Sequence, residues 1–164
     1  MKQLPHIYGP ATIDPEVTFG KNVTIWQYST ICAGTVIGDN SVIGSGVWIG
    51  KDCRIGKNCR FNHGCFIPNG TVIEDNCFFG PNVTLTDDKY PIAGNKRYKA
   101  MPPVIRSFAS IGAGAVILPG VVIGSGAMVG AGAVVTRDVE ASDLSVGMPS
   151  RPVRRDAERA VVPA

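Results

Sequence analysis

The chain holds two imidazoles, His6 and His63, in different surroundings. His6 precedes any regular pattern, whereas His63 lies inside one, in Phe61-Asn62-His63-Gly64-Cys65, beside an amide that can both donate and accept. An imidazole at a turn can take a proton from a nucleophile, contact a substrate, act on a site indirectly, or simply face solvent. The residues alone leave these readings open. Trp26 offers a ring for stacking on a base or sugar, with packing at a subunit interface as the plain alternative.

A second group of reactive types occupies residues 86–104, TDDKYPIAGNKRYKAMPPV. Lys89, Lys96, Arg97 and Lys99 are suited to the phosphates of a small ligand, and a solvated loop surface is the alternative. Further bases, Arg137, Arg151, Arg154 and Arg155, gather toward the C-terminus. A net charge of +3 is too mild to expect a nucleic-acid partner. Two histidines cannot make a three-histidine zinc site, and the five cysteines contain no Cys-x-x-Cys pair, so no metal is expected. The N-terminus lacks a signal pattern, and no apolar run approaches the ~18 residues that span a bilayer. A cytoplasmic protein with no membrane partner is the expectation.

The elements that must position these groups are set by a count of six. Apolar residues return at Ile7, Ile13, Phe19, Ile25 and every sixth position to Leu85, then resume at Ile105 and run to Val135. The interval from Leu85 to Ile105 is not a multiple of six, so the segment between them leaves a regular scaffold and returns. Four places after each large residue comes a small one, among them Val23, Ser29, Cys53, Cys59, Cys65, Cys77, Ala109 and Ala127. One place earlier stands Gly, Asn or Asp, the types that enter the left-handed backbone region at low cost, so each hexad carries a tight turn. Such units bury an apolar face only by stacking. The cysteines in the small slot are expected as core residues; Cys59 and Cys77 are close enough in register to be bridged, though a reducing compartment argues against it.

The hexapeptide spacing resembles the left-handed parallel β-helix, with three hexads per coil. The fold class expected is therefore all-β, a left-handed parallel β-helix over residues 1–149 with a loop extruded at 86–104. The tail from 150 to 164 has charges at helical spacing and is expected to form a short capping helix. With 18 residues per coil, Gln27, Ser45, His63 and Pro81 share one turn column, with Trp26, Gly44, Asn62 and Gly80 beside it. Asp87 falls over Asn69 and Lys51 at another corner.

The run Ile123–Val139, IGSGAMVGAGAVVTRDV, and the ending Val146-Gly147-Met148-Pro149-Ser150-Arg151 are similar to the hexapeptide-repeat acyltransferase superfamily. Ser150 stands where that ending has alanine. Ile25–Ser29, Gly70–Asn76, and Phe79–Val83 leading into Thr86–Pro91 resemble, more narrowly, nucleotide-sugar 3-N-acetyltransferases. That resemblance implies acetyl-CoA as co-substrate, an amino-sugar nucleotide as acceptor, use in cell-surface polysaccharide synthesis, and a homotrimer with sites between subunits. His63 and Asn62 are the candidate catalytic residues, with His63 a departure from those N-acetyltransferases, which often have asparagine near this position, and Trp26, Glu74, Asp87, Lys89, Tyr90 and Arg97 are the candidate substrate contacts. Ala113, Ala131, Arg137, Arg151 and Arg154 are the implied coenzyme contacts. Related O-acetyltransferases carry a histidine in the loop after the equivalent threonine; this loop has none. O-acetylation with His63 as base is the alternative enzyme reading, and a non-catalytic β-helix scaffold is the other.

Overall fold

A computed structural model describes residues 4–153. Each hexad contributes a two-residue strand, longer only at His6–Tyr8, Thr24–Trp26 and the two C-terminal strands, and consecutive strands fall in turn on three parallel sheets. The first sheet climbs from His6–Tyr8 through Thr24–Trp26, Val42–Ile43, Arg60–Phe61, Phe78–Phe79, Ser110–Ile111 and Met128–Val129 to Leu144–Gly147. The second contains Trp48–Ile49, Phe66–Ile67 and Thr84–Leu85; the third contains Arg54–Ile55, Val72–Ile73 and Val104–Ile105. The register is the 18-residue one, as in Arg60 opposite Phe78 and Val42. This is the parallel β-helix the hexads call for, in agreement with the left-handed form.

The core is the tube interior. Every large and small repeat position from Val23 to Val135 is buried, including Cys53, Cys59, Cys65 and Cys77, all of them free thiols. Phe61 and Phe79 stack inside it at 4.5 Å between centroids. The small slot also meets a polar need. Carbonyl oxygens at the next coil's turn face inward, and the Ser29, Thr35 and Ser41 hydroxyls donate to those of Gly44, Gly50 and Gly56 at 2.8, 2.8 and 3.0 Å. The Cys65 thiol does the same to Gly80, at 3.2 Å. Each bond satisfies a buried acceptor that would otherwise be costly.

The turns use a positive φ at the expected positions, from Asn22 (55°) to Gly132 (66°). Tyr28 and Phe108 also adopt it, at 62° and 65°, where a bulky side chain is strained.

The C-terminal expectation requires a correction at its start. Ser150–Val153 is a strand, not a helical turn, and pairs antiparallel with Leu144–Gly147. An open row of hydrogen-bonding groups on the last parallel strand outweighs local helical spacing, and Pro152 is tolerated because this strand is an edge. The remainder of the expected helix, with Arg154 and Arg155, lies outside the described residues. No helix among the described residues is long and apolar enough to cross a membrane.

Candidate active site

The corner between the first and second sheets assembles the candidate site. Turn amides link its coils: Gly64 N–H donates to Ser45 O at 2.9 Å, Asn82 to His63 at 2.8 Å, Gly114 to Pro81 at 2.8 Å and Gly132 to Ala113 at 2.8 Å. The column of Gln27, Ser45, His63 and Pro81 thus continues, across the insertion, to Ala113 and Ala131. Beside it runs a column of Gly44, Asn62, Gly80, Gly112 and Gly130. Glycine is demanded there because adjacent coils touch: a Cβ at Gly80 would lie 2.5 Å from the Ala113 nitrogen. Asn62 is accommodated by turning its amide to donate to Phe79 O at 2.9 Å.

Two shallow cavities follow this corner. The lower, about 340 Å³, is lined by Trp26, Val42, Gly44, Arg60, Phe61, Asn62 and His63. Trp26 is 40% exposed and stacked on Tyr8 at 5.0 Å. The His63 Nδ1 accepts the Ser45 N–H at 3.1 Å across one coil. The upper cavity, about 360 Å³, is walled by Phe78, Ser110, Gly112, Met128, Gly130 and Ala131. With glycine and alanine beside it, this wall exposes backbone to an extended ligand. Arg151, opposite Val146 in the closing hairpin, is exposed at the top of the same sheet.

The loop leaves from the next corner. Thr86 anchors it, with both N–H and hydroxyl donating to Ile117 O at 3.0 Å. Its interior is ordered by local polar contacts. Asp87 Oδ2 accepts the Tyr98 hydroxyl at 2.8 Å, a bond that holds the Tyr98 phenol above its ordinary range. Lys89 lies 5.8 Å from the centre of the Tyr90 ring, and the Arg97 N–H donates to Asn95 Oδ1 at 2.9 Å. Between loop and second sheet is a larger groove, about 590 Å³, lined by Phe66, Thr86, Asp87, Asp88, Lys89 and Pro119 among others.

Trp26, Asn62, His63, Ala113 and Ala131 are therefore brought to one corner, and Asp87, Lys89, Tyr90 and Arg97 to the loop. Two expected residues stand apart from the coenzyme and substrate groups assigned to them. Glu74 belongs to the third corner, where Oε1 pairs with Arg106 at 2.6 Å and Oε2 accepts the Ser107 N–H at 2.9 Å and hydroxyl at 3.1 Å. The Arg106 guanidinium, then the Ser107 amide, hold its carboxyl below the usual range. Arg137 follows Val134–Val135 of the second sheet, so it rises over the loop's corner rather than over Ala113 and Ala131. Arg60 was missed by motif reading. Counting 18 residues from Val42 to Arg60 to Phe78 would have found it as the exposed cation in the floor of the His63 cavity. Among the described residues, no group of three or more His, Cys, Asp or Glu could hold a metal ion.

Matches to known proteins agree with this architecture. The family model for the bacterial transferase hexapeptide (six repeats) matches residues 16–51, 52–87 and 102–137. The chain belongs to that hexapeptide-repeat transferase family. It is 37% identical over 87 residues, 51% of its length, to a candidate acetyltransferase of Schizosaccharomyces pombe, and the match spans only 42% of that relative. A galactoside acetyltransferase solved with coenzyme A is 30% identical, with a TM-score of 0.67 over 77% of this chain and 66% of that one. PerB of Caulobacter crescentus, solved with CoA and GDP-perosamine, is 25% identical, with a TM-score of 0.50 over 91% of this chain and 58% of that one.

Proposed function

We propose that the protein transfers an acetyl group from acetyl-CoA to the amino group of a nucleotide-linked amino sugar, of the dTDP- or UDP-3-amino-dideoxy class. The observation that carries this reading is the single corner column that runs from His63, in a cavity floored by Arg60 and flanked by Trp26, up to the bare wall at Ala113 and Ala131. Pantetheine is an extended arm, and a wall of glycine and alanine lets it lie against backbone amides. Its thioester then reaches the His63 turn, where Trp26 stacks on the acceptor and Arg60 meets a phosphate.

Arg151 and Arg154 are assigned to the coenzyme's phosphates. The loop, at a corner of its own, serves the site of a neighbour in a homotrimer, where Asp87, Lys89, Tyr90 and Arg97 clamp the nucleotide. Likeness to PerB, solved with CoA and a nucleotide sugar, supports this acceptor class. The reaction is assigned to the cytoplasm and the product to cell-surface polysaccharide synthesis.

Likeness to a galactoside acetyltransferase favours a second reading, O-acetylation of a sugar hydroxyl. Offering acetyl-CoA with amino-sugar nucleotides and with simple sugars separates the two. Acetylation confined to hydroxyl acceptors would overturn the first reading, and failure to bind either CoA or a nucleotide would leave a non-catalytic scaffold.

A further inference from the structure

We propose that His63 acts in acetyl transfer as a hydrogen-bond donor from Nε2, to the thioester oxygen as it becomes an oxyanion, and not as a general base. The inference rests on the acetyl-transfer reading above and specifies the chemistry of its central side chain.

The reason lies in the fold rather than in the imidazole. Two places after the large inward residue, a turn without proline there leaves a backbone N–H directed along the coil axis, and a side chain one coil later can accept it. Asp39 accepts from Lys21 at 2.8 Å, Asn69 from Lys51 at 2.8 Å and Asp75 from Lys57 at 2.7 Å, each 18 residues on. His63 occupies the same slot at the site corner, and its Nδ1 accepts from Ser45 at 3.1 Å. The acceptor is thus a recurring part of the coil, which fixes the ring's orientation. A neutral imidazole has one lone pair and one N–H. With the lone pair at Nδ1 committed to Ser45, the proton is on Nε2. Taking a proton through Nε2 would first require the other tautomer, with an N–H of His63 facing the N–H of Ser45. That arrangement opposes two donors and strips the turn of its acceptor.

A donor is what the reaction can use. The neutral amine of the acceptor attacks the thioester carbon, its lone pair forming the C–N bond while the carbonyl π pair moves to oxygen. The Nε2–H stabilises that oxyanion. On collapse the C–S bond breaks with its electron pair going to sulfur, and the proton lost by nitrogen passes through water to the thiolate. The products are the N-acetyl sugar and free CoA, and His63 ends as it began.

Asn69 shows how to test this, because an amide in this slot accepts through Oδ1 and retains an N–H donor, whereas a carboxylate such as Asp39 accepts but cannot donate. His63→Asn is expected to retain at least about tenfold more of the kcat than His63→Asp does. Loss of a general base predicts the opposite for Asn, a fall of about 10²-fold or more, with Asp the better replacement. Thermal melting checks that both variants fold. Either that reversed order, or equal activity of the two variants, overturns the proposal. Independently of any substrate, ¹⁵N-histidine NMR of the wild-type protein reads the tautomer, with the His63 signals assigned by their loss in His63→Asn. An Nε2–H tautomer is expected. An Nδ1–H tautomer in an active enzyme overturns this inference alone, whereas absence of acetyl transfer by the wild type to any amino-sugar nucleotide overturns the functional reading and the donor role with it.

Discussion

Met101 donates its backbone N–H to the carbonyl oxygen of Asp87 at 2.8 Å, closing the neck of the insertion. The Met101 carbonyl in turn accepts from Gly120 at 2.7 Å, which ties the neck to the coil above. Val72 pairs with Val104, 32 positions on, and with Arg54, 18 positions back, so 14 residues are surplus to the scaffold. Removing residues 88–101 joins Asp87 to Pro102 and restores a six-residue interval from Leu85 to Ile105. The shortened protein is expected to melt within about 5 °C of wild type. Acceptor turnover is lost, and acetyl-CoA binding is kept. Calorimetry and the coupled assay check both parts; collapse of the fold would show that the loop is structural.

The bare wall makes a second prediction. Ala131 is exposed on the corner column, so Ala131→Phe finds room without entering the core. It stands where the pantetheine is assigned and should raise the KM for acetyl-CoA by about tenfold with little change in melting temperature. Gly112→Val is different. Its Cβ would press on the Ala131 amide, and the expected result is a loss of about 1–3 kcal/mol in denaturant unfolding.

Thiol reactivity should follow the coils. Burial pushes the Cys53 and Cys65 thiols up to about 11, because the thiolate has no solvation inside the tube. Cys32 is only half-buried. Under mildly alkaline native conditions Cys32 should react first with an aromatic disulfide, and the four core thiols only on unfolding. Fast labelling of a core cysteine, located by mass spectrometry, would contradict this.

The Glu74–Arg106 pair makes a pH prediction. Its carboxyl is held below the ordinary value of 4.5 in the folded chain, first by Arg106 and then by the Ser107 amide. The folded state therefore binds that proton less readily than the unfolded state. The stabilisation is present above the unfolded value and is lost as pH falls below it through the folded value. The pair is partly exposed, so its share is under about 1 kcal/mol. Glu74→Gln should remove this part of the acid dependence, leaving wild type and variant closer in stability at low pH than at neutral pH.

Strand positions, the inward face and the turns were legible in the hexads, because a two-residue strand alternates inward and outward side chains and the turn demands a left-handed residue at a fixed place. Ile25, Phe61, Cys65 and Gly64 could be assigned from spacing alone. The insertion was equally visible, since a failure of the count has no other reading. Hidden were the side-chain contacts made between one coil and the next. Nothing near Arg60 in the chain marks it as the floor of a cavity with Trp26, and nothing near Glu74 announces Arg106. Ser150–Val153 opens a tail whose charges fall at helical spacing, yet pairing with the Leu144–Gly147 edge decided its conformation.

The sequence by itself determined the architecture, because the repeat is local and each hexad dictates its own strand, turn and buried pair. It also determined that His63 stands at a turn. Only the tertiary structure decided what that imidazole has left to offer, because the Ser45 amide that occupies its Nδ1 arrives from the coil below, 18 residues earlier in the chain.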